Sequence, residues 1–469
     1  MIAIDRLKIL IGVLQSSHYD RQLFWAWIGR HPTPTDWDKF QDKVKADWTL
    51  KAKILFLASI TFSQAIPCAL ILNLKFLRRG EGIAIKWIAF RAKKRLQKIK
   101  FRMIVGITGS FGKTTTKEII TQILGEKFRV HETPENVNTL LGIAGWILRT
   151  KFQDGDILIV EMGAYRKGDI TAAARFVKPT VGILTGLNEA HRERFGSLEQ
   201  TAAAKCELID ALSPGRIALW NQDSLLLREA VEIRLADWEK REIQSIPYGR
   251  KDNESMGFLC EGAGESGLLV RIDRNQNKSS READKNIPTF SRMLECRMPI
   301  LGEHVCQEFA VAVMLGNLLG MSREEIAKGC QSVRPLPRRL APILAPGDRL
   351  IIDDSYNITL DGVGAALEVL ASINRRKIGV FAGIPEGGKE SDRINEELGR
   401  KIASAFEIIL LGNTPVAEAV LRGLKEGGFN ETHIIRYTDG KEVESIVARV
   451  AHDNDCIYFS AYDWPAIYL

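Results

Sequence analysis

A glycine-rich turn between a short apolar run and a polar, helix-forming run is the feature that most constrains this chain. Residues 103–108 read Met-Ile-Val-Gly-Ile-Thr, and residues 109–116 read Gly-Ser-Phe-Gly-Lys-Thr-Thr-Thr. A strand, a tight turn and a helix start in this order let backbone N–H groups and the positive end of the helix face anionic oxygens. The segment predicts a nucleotide phosphate site on a parallel α/β sheet.

Each part of this loop is suited to ATP carrying Mg²⁺. We expect Lys113 to neutralise phosphate charge and the hydroxyl group of Thr114 to bind the cation. The alternative is a structural turn without a ligand. The nucleotide-binding residues predicted in the loop are Gly109, Ser110, Gly112, Lys113, Thr114 and Thr115.

The glycine spacing separates this loop from the general nucleotide loop, because Ile107 stands where the first glycine of that loop is expected. Glycines at 106, 109 and 112 resemble the Mur ligase family, whose loop runs GxTGxxGKT. Further similar segments follow in the family's order over roughly residues 101–410. The resemblance implies an ATP-dependent, ADP-forming ligase that joins a carboxylate to an amine through an acyl phosphate, in the making of peptidoglycan, and hence of the cell wall and cell shape.

The resemblance also implies a metal site. Glu161, at the end of the apolar run 156–160, matches the family's metal-binding glutamate, and His191 matches a histidine that reaches a metal, although a lone histidine is more often a surface or core residue. Lys205 falls where several members carry a carbamylated lysine; the alternative is an ordinary lysine on an alanine-rich helix. The expected metal set is Thr114, Glu161, His191 and, if carbamylated, Lys205. The expected catalytic set is Lys113, Glu161, His191 and Lys205.

Four positions further along the chain resemble family residues that contact the nucleotide. Glu308 stands where the family has an asparagine that contacts adenine, a departure that replaces an amide donor with a carboxyl group. Arg339 matches a linker arginine that reaches the phosphates. Asp354 and Asn357 belong to an Asp-Asp-Ser-Tyr-Asn run that resembles a family element, which implies that they contact the nucleotide from the opposite side.

The N-terminal region differs in character from the rest of the chain. Residues 1–102 hold twenty Lys and Arg against seven Asp and Glu, and the apolar run 54–77 precedes seven basic residues within the twelve of 91–102. We expect contact with an anionic membrane surface through residues 54–102, with the run 54–77 spanning, forming a hairpin or lying in the plane. The alternative is a buried helix followed by a solvated basic helix. Nucleic acid is not expected, since stacking aromatic residues are not interleaved.

The expected fold class is α/β with three parts. A helical, apolar and basic anchoring region (1–100) precedes a central parallel-sheet ATP domain (101–333) and a C-terminal Rossmann-like domain (334–469). The usual family member begins with a domain that holds the UDP-sugar, which here is replaced by the anchoring region.

Within the family, the pattern is most similar to the members that add D-alanyl-D-alanine to a peptidoglycan-precursor peptide. We expect that activity, on nucleotide and precursor substrates, in the cytoplasm at the inner membrane face. A lipid-linked precursor fits the replaced sugar domain. Two alternatives are a folylpolyglutamate-type or other amino-acid ligase, and a membrane-tethered ATP-binding protein without turnover.

Overall fold

The computed structural model describes residue 10 and residues 87–164, 166–187, 198–249, 257–262, 268–273, 294–298, 300–302, 305–356, 358–385 and 390–461. Over these residues the chain forms two doubly wound α/β sheets and a small antiparallel sheet. The α/β fold class expected from the sequence is confirmed.

The first sheet is entirely parallel and has the strand order β2-β3-β1-β4-β5-β6. Its central strands are buried along their whole length because helices cover both faces. The strands are β1 (Met103–Thr108), β2 (Val130–Glu132), β3 (Ile157–Glu161), β4 (Val181–Leu184), β5 (Ile217–Asn221) and β6 (Gln244–Tyr248). The strand order reverses between β1 and β4, which opens a crevice beyond their carboxyl ends.

Helices pack on both faces of this sheet. One face is covered by α1 (Lys113–Leu124), α7 (Cys306–Leu318) and α8 (Arg323–Ser332). The other is covered by α2 (Leu140–Arg149), α3 (Asp169–Val177), α4 (Leu198–Asp210), α5 (Leu225–Glu232) and α6 (Leu235–Lys240). Helix α7 is buried on almost every side, and it packs directly against α1, the helix that follows the phosphate loop.

A three-stranded antiparallel sheet lies between α6 and α7 in the sequence. It consists of β7 (Gly257–Gly262), β8 (Leu268–Asp273) and β9 (Leu294–Met298). No strand was predicted in this segment from the sequence, because charged runs hide the short alternating strands. Helix α8 packs against β9, so this sheet extends the first core.

The second doubly wound sheet has the order β10-β11-β15-β12-β13-β14, parallel except for the edge strand β10. Its strands are β10 (Ala341–Ala345), β11 (Arg349–Asp353), β12 (Lys377–Phe381), β13 (Ile408–Gly412), β14 (Ile434–Tyr437) and β15 (Cys456–Ser460). Its helices are α9 (Leu360–Ala371), α10 (Ser391–Ile402), α11 (Ala417–Glu426) and α12 (Gly440–Val450), with a short 3-10 helix at Glu431–His433. Helices α9 to α11 cover one face and α12 the other.

Residues 87–96 form a helix that leads into β1 and is called the basic helix below. Ala92 and Leu96 on its inner side are buried in the core under α2. The Arg95 guanidinium donates to the carbonyl oxygens of Leu148 and Thr150 at 2.5 and 2.6 Å. No helix within the described ranges is long and apolar enough to cross a membrane, and the run 54–77 lies outside those ranges.

Candidate nucleotide and metal site

The phosphate loop leaves β1 at the switch point of the first sheet. Gly112 immediately precedes the first residue of α1 and adopts a left-handed backbone conformation (φ 76°). A side chain at this position would strain that conformation. A Cβ at Gly109 would overlap the hydroxyl group of Thr185, which follows β4. Both glycines therefore serve the close approach of the loop to the neighbouring strand end.

In this structure the polar groups of the loop are hydrogen-bonded within the loop and to the segment after β4. The Ser110 N–H donates to the carbonyl oxygen of Gly186 at 2.7 Å, and the Thr185 hydroxyl donates to the carbonyl oxygen of Phe111. The ammonium group of Lys113 donates to the carbonyl oxygens of Gly109 (2.9 Å) and Ser110 (3.2 Å). These donors are the groups that anionic oxygens would take over.

The charge state of Lys113 depends on both sheets. Burial lowers the pKa of its ammonium group, the carboxylate of Glu161 opposes that shift, and the guanidinium group of Arg339 adds to it. A polyanion at the loop would favour the protonated lysine, because an opposite charge stabilises the charged form. Thr115, in the first turn of α1, is half-buried.

Glu161 is held at the end of β3 by three polar contacts, two on its carboxylate and one on its backbone N–H group. The Thr114 hydroxyl donates to Oε2 at 3.0 Å, and Nδ2 of Asn138 lies 3.4 Å from Oε1. The Glu161 N–H donates to the hydroxyl group of Thr133 at 3.0 Å. Glu161 is only 6% exposed, so it is an oriented carboxylate next to the phosphate loop.

Several of these contacts were not predicted as site residues from the sequence. Asn138, Thr133 and Thr185 all lie beside the loop or Glu161, yet they come from two different loops. The sequence feature that could have identified them is their position just after strands β2 and β4, because ligand-binding groups lie at the carboxyl ends of parallel strands. Asn221, at the end of β5, extends this edge by donating to the carbonyl oxygen of Thr185 at 2.7 Å.

Of the other predicted metal residues, Lys205 is described and His191 lies outside the described residues. Lys205 is on α4 and is only 4% exposed. Two residues later, the carboxylate of Glu207 accepts the N–H groups of Gly168 (2.7 Å) and Thr171 (3.1 Å), which fixes α4 against the start of α3. Carbamylation of Lys205 stays a prediction.

Glu308 lies on α7, beneath the phosphate loop. Its Oε1 would be 3.0 Å from a Cβ placed on Gly112, which puts the carboxyl group in contact with the loop backbone. The residue is 7% exposed, and burial raises its pKa to about 8. Glu308, which stands where the family has an asparagine, therefore lies inside the candidate site.

The C-terminal sheet contributes Arg339 to the same region. The guanidinium carbon lies 3.9 Å from the ring centre of Tyr356, a cation–π arrangement. The hydroxyl group of Tyr356 reaches Oδ1 of Asn136, in the loop after β2, at 3.5 Å. This stack brings the charge of Arg339 close enough to influence Lys113 and Glu118.

Asp354 follows β11, and its carboxyl group is largely buried within the second sheet. Its carboxylate accepts the Tyr458 hydroxyl at 2.8 Å and the Leu340 N–H at 3.3 Å. Burial raises the pKa of this carboxyl group to about 6, although both hydrogen bonds favour its charged form. Its nucleotide contact stays a prediction, and Asn357 lies outside the described residues.

The polar groups that lack partners fit a bound nucleotide. Among the described residues, four buried side-chain atoms have no hydrogen-bond partner: Ser110 Oγ, Glu308 Oε2, Arg339 NH2 and Ser460 Oγ. The first belongs to the loop, and the second lies against it. Unsatisfied buried polar atoms are costly, so the two at this loop indicate a ligand site.

The donor set also fits a hard cation that is bound partly by phosphate. Within the described ranges, no cluster of three or more His, Cys, Asp or Glu side chains could hold a metal by itself. Mg²⁺ is commonly bound through one or two carboxylates, substrate phosphates and water. Glu161 with the Thr114 hydroxyl matches that pattern. A phosphate loop with an oriented carboxylate, faced by an arginine from a second α/β sheet, is typical of an ATP-dependent ligase.

Comparison with known proteins leads to the same class. The Mur ligase middle domain family matches residues 107–316. The UDP-N-acetylmuramoyl-tripeptide--D-alanyl-D-alanine ligase of Bacillus subtilis (strain 168) is 28% identical over 377 residues, 79% of this chain and 75% of that protein. The Escherichia coli (strain K12) protein of the same name is 27% identical over 334 residues, 71% and 69% of the two chains.

Solved structures share the fold. The MurF ligase of Thermotoga maritima in complex with ADP superposes with a TM-score of 0.67 at 24% identity, over 82% of this chain and 81% of that one. A folylpolyglutamate synthase of Mycobacterium tuberculosis gives a TM-score of 0.58 at 14% identity, over 82% and 92% of the two chains.

Residues 107–316 thus match a Mur ligase middle domain, and most of the chain is similar to the UDP-N-acetylmuramoyl-tripeptide--D-alanyl-D-alanine ligases. The expectation of an ATP-dependent, ADP-forming ligase that uses Mg²⁺ is thereby confirmed.

Proposed function

We propose that this ligase joins the amine of D-alanyl-D-alanine to the terminal carboxylate of a UDP-N-acetylmuramoyl-tripeptide. The observation that carries the proposal is the grouping of Lys113, Glu161 and Arg339, from two sheets, around one phosphate loop. The curated relatives that cover most of the chain carry the name of this activity. The same three residue types suit phosphoryl transfer to a carboxylate, which is mostly a problem of positioning and charge.

The roles of the residues follow from their positions. Lys113 and the loop N–H groups would hold the terminal phosphates of ATP, and Arg339 would face them from the second sheet. Thr114 and Glu161, with His191 and a carbamylated Lys205 as further expected ligands, would hold Mg²⁺, which neutralises phosphate charge when it is bound. Transfer of the γ-phosphoryl group to the substrate carboxylate gives an acyl phosphate and ADP, and attack by the amine then releases phosphate.

The remaining predicted contacts with the nucleotide are also proposals. Glu308 lies against the loop and is proposed to contact the nucleotide. Asp354 and Asn357 are proposed to contact it from the second sheet. We also propose domain boundaries at 100 and 333, which the end of α8 at Ser332 and the start of β10 at Ala341 support.

The direct test is product formation by the purified full-length protein. Mg-ATP, UDP-N-acetylmuramoyl-tripeptide and D-alanyl-D-alanine are supplied, and ADP, phosphate and the mass of the pentapeptide product are measured. We expect all three, with loss in Lys113→Ala and retention in Lys151→Ala, an exposed lysine before β3. ADP only with a lipid-linked precursor or a folate would reassign the substrate, and ATP binding without turnover would contradict the ligase.

We also propose that the chain works at the inner face of the cell membrane, in contact with anionic lipid through residues 54–102. The outward side of the basic helix supports this, because Trp87 and Phe90 are 57% and 56% exposed. Arg91 and Lys94 each place a cation 4.8 Å from the centre of one of these rings. Exposed aromatic rings beside basic side chains are typical of lipid headgroup contact.

Sedimentation with lipid vesicles tests this contact. We expect the full chain to bind vesicles containing phosphatidylglycerol, to bind phosphatidylcholine vesicles less, and to bind less when Trp87 and Phe90 are both changed to Ala. The matched control changes two exposed apolar residues of another surface, Leu225 and Ile233, to Ala. Equal loss in both double variants, or no preference for anionic lipid, would contradict the proposal.

A further inference from the structure

Glu308 is a buried acid on the helix beneath the phosphate loop. Its Oε1 is packed against Gly112, whose position it would crowd if that residue carried a Cβ. Its Oε2 is buried and has no hydrogen-bond partner among the described residues. A carboxyl oxygen in this position is costly unless something else completes its hydrogen bonding.

The surroundings of Glu308 favour its uncharged form. Helix α7 packs against α1 and β6, whose titratable side chains are Lys113, Lys117, Glu118 and Tyr248. Lys113 donates to the loop carbonyl oxygens and Lys117 to the carbonyl oxygen of Thr133, while the Tyr248 hydroxyl donates to that of Leu184.

A second acid near Glu308 is Asp223, in the turn after β5. The carboxylate of Asp223 accepts Nε2 of Gln307, the residue before Glu308, at 3.2 Å. Both Asp223 and Glu308 disfavour the ionised form of Tyr248, so the two acids face one region. No ion pair therefore offsets the burial of Glu308 in the part of the chain that the structure describes, and its pKa rises to about 8.

We propose that Glu308 acts as an uncharged carboxylic acid that donates a hydrogen bond to ATP, and that its ionisation in alkaline solution weakens ATP binding. This inference rests on the proposed use of ATP at the loop. The protonated group has one donor, as an amide does, whereas the ionised group has none and carries a negative charge next to a polyanion. Glu308 is thus a specificity-determining residue that couples nucleotide affinity to pH.

The test is equilibrium binding of Mg-ATP to the full chain by calorimetry between pH 7 and 9, which needs no turnover. The terminal phosphate of ATP loses its last proton at about pH 6–7, so its charge does not change over this pH range. With a pKa of about 8, the apparent Kd of the wild type should rise about tenfold over this range. Glu308→Gln should bind within about threefold of the wild type at pH 7 and show no such rise.

The variants separate Glu308 from other causes. If deprotonation of Lys113 weakened binding, Glu308→Gln would keep the alkaline rise, and the inference would be overturned. Glu308→Ala should bind about tenfold more weakly than Glu308→Gln at pH 7, because it lacks the donor; equal affinities would overturn hydrogen bonding to ATP. Glu229→Gln, an exposed control, should behave as wild type.

The outcome is separable from the proposed ligase activity. A wild type whose ATP affinity does not change with pH overturns this inference and leaves the ligase intact. Failure to form the pentapeptide product, with the pH dependence present and abolished by Glu308→Gln, overturns the proposed substrate alone. A wild type that does not bind ATP at any pH overturns both.

Discussion

The hydroxyl group of Thr114 donates a hydrogen bond of 3.0 Å to Oε2 of Glu161, joining the first turn of α1 to the end of β3. The two residues are 47 positions apart in the chain. The contact orients the one carboxylate that lies next to the phosphate loop on this strand. It also places a hydroxyl and a carboxylate oxygen where they can share a cation.

Replacing Glu161 with Gln should reduce ligase turnover by about 100-fold or more, because the amide keeps the size of the side chain but removes the negative charge that attracts Mg²⁺. Turnover is measured against Mg²⁺ concentration. Glu132→Gln is a matched control, since Glu132 ends the neighbouring strand β2 and accepts the Thr121 hydroxyl of the same helix at 2.8 Å. Similar losses in both variants would contradict a specific role for Glu161.

Replacing Arg339 with Lys should raise the KM for ATP by about tenfold. The lysine keeps the charge but loses the planar group that lies on Tyr356, so the cation is no longer held toward the loop. Initial rates at varied ATP check this. Tyr356→Phe keeps the ring and should change KM by less than about threefold; an equal effect would show that the hydroxyl contact, not the stack, matters.

The contact between α10 and α11 should not tolerate a methyl group. A Cβ on Gly423 would overlap the carbonyl oxygen of Glu396, and backbone cannot move aside as a side chain can. We expect Gly423→Ala to lower the free energy of unfolding by about 1–3 kcal/mol, measured by urea denaturation.

The control for this variant is another helical glycine, Gly364 on α9, whose Cβ position is open. Gly364→Ala should raise the free energy of unfolding by about 0.5–1 kcal/mol, because alanine favours the helix. A loss in both variants would mean that close helix packing is not the cause.

The stability of the C-terminal sheet should depend on the ionisation of Asp354. Its pKa is raised from 3.8 to about 6, so its favourable contribution is complete below pH 3.8 and is lost as pH rises through 6. At pH 7.5, Asp354→Asn should therefore be more stable than wild type by about 1–3 kcal/mol.

At pH 4.5 this gain should be smaller, since the wild-type carboxyl group is then mostly protonated. Urea denaturation at both pH values provides the comparison. Asp361→Asn, an exposed acid at the start of α9, should show no gain that grows with pH. A constant difference for Asp354→Asn would indicate lost hydrogen bonds rather than ionisation.

Local patterns predicted the elements that carry the site. The run before Gly109 is β1, the helix begins at Lys113, and Glu161 ends β3, all as expected. These features follow from periodicity and from glycine or capping residues within about ten positions, which local sequence contains.

The antiparallel sheet β7 to β9 was missed for the opposite reason. Its strands β8 and β9 pair although a long connecting segment separates them in the chain, and charged residues dominate that segment between Asp273 and Leu294. Interactions of Asn138 and Thr133 with Glu161 were missed as well, because no local pattern records which side chains meet across a loop.

The sequence by itself determined the class of this protein, because a phosphate loop needs particular residues at adjacent positions. Only the tertiary structure decided the environment of each group. Glu308 is an ordinary surface-type acid until α7 packs on α1 and removes it from water, and Arg339 acts on Lys113 only because a second sheet folds over the first. Packing determines how far each group is removed from water and which charges lie near it. The protonation states of the site residues therefore depend on the tertiary structure.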